Sequence, residues 1–100
     1  MPRPSFITEE DVLRWTSNID NDPNLPKDII NIPVVKELCF AGLYMCEQLE
    51  KLQCPQDLIM RIQFSAGAAS FGKDPWDVHL NFINDYQNNL LNIESDDNLN

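Results

Sequence analysis

The chain has 100 residues, 43% of them hydrophobic and 23% charged, and a formal charge of −9 at pH 7. That is the size of one domain, long enough to bury a core without disulfides or metals. No apolar run approaches the ~20 residues a bilayer span requires, and no cluster of Lys and Arg offers direct nucleic-acid binding through phosphates.

The N-terminal stretch "MPRPSFITEED" lacks the apolar segment of a signal peptide and turns acidic at once, so residues 1–7 read as an extension and the expected location is cytoplasmic. Thr8 with Asp11 forms a capping-box pattern, and Glu9, Glu10 and Asp11 suit the positive end of a helix dipole. A first helix is expected over about 8–20, with Val12, Trp15, Thr16 and Ile19 along one stripe. Prolines at 23, 26 and 33 then break the pattern. The intervening residues are expected to form an ordered loop over the core through Leu25, Ile29, Ile30 and Ile32, with room for one turn at 27–31.

Pro33 suits the first position of a long second helix, about 33–53. Its stripe of Leu38, Ala41, Met45, Leu49 and Leu52 is joined by Phe40, Leu43 and Tyr44 on other sides. A helix apolar nearly all round is a buried one. After a break at Cys54-Pro55, a third helix is expected over about 55–71, again apolar on two sides, with Gly72 as a left-handed terminator. Asp74 as cap, Pro75 as first helical residue and Asp77 three positions on start a fourth helix, about 74–92. The acidic "IESDDNLN" leaves residues 93–100 as an expected disordered tail. No stretch alternates with period two. The expected fold is all-α, a small bundle of four helices forming a single domain over 8–92.

Two features invite a functional reading. Ala41 and Gly42 in the second helix, and Ala66 and Gly67 in the third, are equally distant from the turn at residue 54. An antiparallel hairpin would set these small pairs opposite one another, and a close backbone approach would offset the ~1 kcal/mol that each helical glycine costs. The same small residues, flanked by Met60, Phe64, Phe71 and Trp76, could instead floor a pocket for a small apolar ligand. Two helices with this much apolar surface are hard to cover in so short a chain. A homodimer through the second and third helices is therefore expected, with Trp15, Phe40, Tyr44, Phe64 and Trp76 as candidate interface anchors.

The second feature is charge. Residues 74–100 hold six acids and no base, Asp74, Asp77, Asp85, Glu94, Asp96 and Asp97. These are a solubilising surface or a face that docks on a basic partner, in the manner of an inhibitor or nucleic-acid mimic.

Chemistry has few candidates. His79, the single histidine, falls on the apolar face of the fourth helix with Ile83, Tyr86 and Leu90, away from Asp77 and Asp85. Cys39, Cys46 and Cys54 are spaced for neither a disulfide nor a zinc site, and Cys54 at the turn is expected to be the most exposed. Glu47, Glu50 and Asp57 have the spacing of a solvated helix edge. No phosphate loop, metal-binding pair or nucleophile elbow is present. The chain reads as a non-catalytic protein–protein interaction module without cofactor or metal. Its expected partners are a second copy and another protein, with neither nucleic acid nor membrane bound directly.

Overall fold

Each long helix begins or ends where the sequence supplies partners for backbone groups that a helix leaves unpaired. The computed structural model describes residues 3–91. Its elements run α1 (Glu9–Asp20), α2 (Lys27–Ile30), α3 (Pro33–Lys51), α4 (Gln56–Ala69) and α5 (Pro75–Gln87), with no strand among the described residues. The fold is all-α. The four expected helices are present, and the single turn expected between the first two is α2.

The starts follow the sequence closely. The Thr8 hydroxyl accepts from the Asp11 amide at 3.1 Å, and the Asp11 carboxylate accepts from the Thr8 amide at 3.0 Å, closing the capping box of α1. Pro33 and Pro75 occupy first-turn positions of α3 and α5, where the missing N–H costs nothing. The Asp74 carboxylate caps α5 by accepting from the Trp76 amide at 3.1 Å. Asp77 does not close a reciprocal box there.

Helix α1 ends at Asp20 as expected, but α3, α4 and α5 end earlier than the periodicity suggests. At α3, Gln53 takes a left-handed conformation, φ 62°. The Gln53 amide then donates to Glu50 O and the Cys54 amide to Leu49 O, both at 2.9 Å. That is the pair of bonds in a Schellman motif, with Cys54 and Leu49 making its apolar contact. Asn89, φ 56°, repeats the motif after α5, with the Leu90 amide reaching Asp85 O at 2.8 Å. The fourth expected helix therefore stops at Gln87 rather than near 92. Gly72 is left-handed as expected, φ 75°, yet it lies in the turn beyond α4, which is closed by Ser70. The C-terminus of α1, which has no base in its last turn, is capped from afar. The Lys27 ammonium donates to Ile19 O at 2.7 Å, Asp20 O at 3.0 Å and Asp22 O at 3.3 Å.

Helix α3 is the axis of the molecule. It packs against α5, α4, α2 and α1, the last reaching as far along it as Glu47. Two clusters result. Trp15, Ile19, Ile30, Phe40, Ala41 and Trp76 fill the end under α1 and α2. Met45, Leu49, Ile59, Ile62, Ala66 and Ile83 fill the end between α3, α4 and α5. In the proline-bearing connector Ile30 is buried and Leu25 half-buried, whereas Ile29 and Ile32, also expected over the core, are exposed. Residues 3–7, read as an extension, lie along α3: Phe6 stacks at 5.6 Å from Tyr44. The expected tail at 93–100 lies outside the described residues.

A left-handed glutamine is strained by about 1 kcal/mol relative to glycine. Gln53→Gly should raise unfolding stability by about 0.5–1 kcal/mol, and Gln53→Val should lower it. Urea midpoints of the two variants on opposite sides of the parent would show this, and equal midpoints would contradict it.

Candidate functional site

Trp15 of α1 and Trp76 of α5 are both fully buried, their rings 6.3 Å apart. A buried indole N–H left unpaired costs free energy, so each needs an acceptor. Both find one on α3. Trp15 Nε1 donates to Glu47 Oε2 and Trp76 Nε1 to Glu37 Oε1, each at 2.9 Å. Each carboxylate is in turn held by a forked arginine. Arg14 meets Glu47 at 2.8 and 3.2 Å. Arg3, from the N-terminal segment, meets Glu37 at 2.7 and 3.1 Å. Arg3 holds the Glu37 carboxyl below the usual range, against the opposing effect of partial burial and with help from the Trp76 N–H. The two guanidinium groups also cover rings, Arg3 at 5.3 Å from the Phe40 centroid and Arg14 at 5.6 Å from Trp15.

This arrangement corrects most of the expected interface. Trp15, Phe40 and Trp76 are core residues, and Tyr44 is half-buried with its ring about 6 Å from both tryptophans. Glu47 is no solvated edge but the acceptor for a core indole. Of the five aromatics expected as anchors, Phe64 alone faces water, at 81% exposure.

The small residues also divide differently from the expected pairing. Ala41 belongs to the tryptophan cluster and Ala66 to the aliphatic one, and the Cβ position of neither glycine comes within 4 Å of the other helix. A Cβ on Gly42 would point at α5, 3.9 Å from His79 Nε2. A Cβ on Gly67 would meet nothing within 4 Å. Helix α5 takes the place beside Gly42 that the hairpin pairing assigned to Gly67.

Gly67 opens instead onto an apolar groove. Met60, Gln63, Phe64, Gly67 and Ala68 line a depression of about 410 Å³ on α4. It continues at Gly67 into a second, about 280 Å³, between α4 and the start of α3 at Val34, Val35 and Leu38, ending at Phe71. Helix α4 thus carries two apolar stripes. Ile59, Ile62 and Ala66 face the core, while Met60 (56% exposed), Phe64 and, in the turn beyond, Phe71 (90% exposed) face solvent. The middle of α3, by contrast, is covered within one chain.

The other candidates take structural roles. His79 is buried, with Nδ1 2.7 Å from Pro75 O. The neutral ring carries its proton on Nδ1 and donates it to that carbonyl. Burial lowers its pKa below the ordinary 6.5, against the opposing effect of the carbonyl. Cys54 is the most buried of the three free thiols, contrary to expectation, because the left-handed Gln53 turns it back onto Leu49. Burial pushes the Cys39 and Cys46 thiols upward, with Glu50 and Glu47 adding to the effect at Cys46. Asp74 is spent as a cap, with its second carboxylate oxygen buried and unpaired. Asp77 is exposed and Asp85 half-buried, eight residues apart on α5. Glu94, Asp96 and Asp97 lie outside the described residues, which contain no group of three potential metal ligands and no helix long and apolar enough to cross a membrane.

Comparison with protein-family models, with curated proteins and with solved structures finds no match for this chain.

Two outcomes test this geometry. The added methyl of Gly42→Ala makes only an ordinary contact, so the variant should gain about 0.5–1 kcal/mol from helix propensity. A loss in urea titration would mean that α3 and α5 are closer than described. The unfolded state binds His79's proton more readily than the native state, so its contribution is complete above pH ~6.5 and declines as pH falls through the lowered native value. In His79→Gln that part of the pH–stability slope should vanish. An unchanged slope would contradict the buried neutral ring.

Proposed function

We propose that the protein is a small, acidic, non-catalytic protein–protein interaction module whose working surface is the outer face of α4 together with the first turn of α3. The observation that carries this reading is the exposure of Phe64 and Phe71 beside a groove floored by Gly67 and Ala68. Exposed apolar residues scattered singly are ordinary, but a contiguous patch marks a contact surface. Here two aromatics, a methionine and a valine adjoin one another, whereas Leu13, at 69% exposure, lies apart on α1.

The shape of the groove favours a helix over a small molecule. Met60, Gln63, Phe64 and Gly67 stand at i, i+3, i+4 and i+7, the four corners of the hole that receives a knob from a facing helix. A hole walled by one helix leaves a ligand largely in water, while ligand pockets bury about 70–90% of theirs. We place the module in the cytoplasm, a reading supported by its three unpaired cysteines.

A photo-crosslinking amino acid at position 64, with the same residue at position 13 as control, tests the assignment in the cell that makes the protein. Discrete protein adducts at 64 and few at 13 are expected. Equal labelling at the two positions, or none at 64, would overturn it.

A further inference from the structure

We propose that the occupant of this face is a second copy of the same chain, bound by antiparallel pairing of α4 with its symmetry mate. The inference rests on the interaction-module reading and assigns its partner.

The stripe is complementary to itself in one register. If the twofold axis passes between Ser65 and Ala66, Phe64 faces the second copy's Gly67, and Met60 faces the second copy's Phe71. Gln63 meets the second copy's Ala68 in the same register. Each large side chain of the stripe then lies against a small or flexible one. Such an isologous contact closes after two copies. Because a Cβ on Gly67 would meet nothing within 4 Å, the space for an incoming ring is already open. Among the described residues nothing lies close to that Cβ position to offset the glycine's cost in a helix, and an intermolecular contact would supply the compensation.

Area and charge point the same way. Phe64 and Phe71 together expose roughly 300–400 Å². Met60 and Val34 bring the patch to about 500 Å², so two copies would bury about 1,000 Å², near the lower limit for a specific interface. A net charge of −9 makes two copies repel. The stripe carries no carboxylate; Lys73 lines its far end, and Arg61 beside Met60 is paired with Asp57 at 3.5 Å. Association here should therefore tighten as salt screens the long-range repulsion. Docking of the acidic residues on a basic partner has the opposite dependence.

Sedimentation equilibrium of the full chain over about 5–500 µM tests the proposal. The expected result is a species of twice 11.5 kDa whose dissociation constant falls between low and high salt. Phe64→Ala and Gly67→Leu should each weaken it tenfold or more. Phe64 is 81% exposed and the Cβ position of Gly67 is open, so unchanged urea midpoints or, for Gly67→Leu, a raised one would show the fold intact. Leu13→Ala should leave association unchanged. Register is read by mixing Gln63→Cys with Ala68→Cys, where mixed disulfides should exceed those between like chains. A monomer at every concentration, a dimer indifferent to both α4 variants, or preferential 63-to-63 linkage would overturn the proposal. A monomer that still gives protein adducts at position 64 would sink the second copy alone. Absence of those adducts as well would remove the interaction reading.

Discussion

Two indole N–H groups that cannot be left unpaired fix how the helices gather around α3. Trp15 and Trp76 come from opposite ends of the chain, and each reaches a glutamate on the same helix at 2.9 Å. Glu37 and Glu47 stand at the rim of the core, where one oxygen accepts from both the indole and the arginine Nε and the other accepts from the arginine Nη2. A carboxylate in that position satisfies the buried donor without itself being taken fully out of water, which avoids the large desolvation cost of a buried ion. The rings supply apolar area, and the hydrogen bonds determine which way they face. Arg3 and Arg14 complete the arrangement from outside, and Arg3 thereby draws the N-terminal segment along α3.

The closure of that end has a consequence at the other. With α1, α2 and α5 gathered around α3, none of the described helices covers the outer side of α4. Helix α4 buries Ile59, Ile62 and Ala66 and presents Met60 and Phe64 to water. The chain hides its tryptophans and leaves a phenylalanine at 81% exposure. The Cβ position of the glycine beside that phenylalanine is open, with no described atom within 4 Å. On the proposed reading, folding and association would draw on opposite faces of one helix, and substitutions at Phe64 and Gly67 would separate the two.

Helix starts are legible because a cap is a local event: Thr8 with Asp11 and Asp74 with Pro75 each carry their own partner within three residues, and Pro33 starts α3 without a side-chain cap. The ends were harder. Gln53 and Asn89 turn left-handed without the glycine that announces such a turn, and so the expected helices ran too long. The content of the core was legible too, but not its orientation. On α4 both stripes are apolar, and the smaller Ala66 goes inside while Phe64 stays out, against any ranking by size. The role of Glu47, expected as a solvated edge, and that of Glu37, which no local pattern singles out, depend on partners distant in sequence, Trp15 lying 32 residues from Glu47 and Trp76 39 residues from Glu37. An acid placed inside the otherwise apolar stretch from Leu38 to Leu49 was the available signal. The pairing of small residues failed for a related reason: distance from the turn fixes height along a hairpin, but not which side of α3 is taken by α5.

Hydrogen exchange of the two indole Nε1–H groups by NMR tests the central arrangement most directly. If both are fixed to α3 carboxylates inside the core, they should exchange as slowly as the best-protected amides of α3, and both should speed up together when the fold opens. Exchange of either at the rate of a free indole would mean that its ring is not anchored, and that the helices are gathered around α3 by something else.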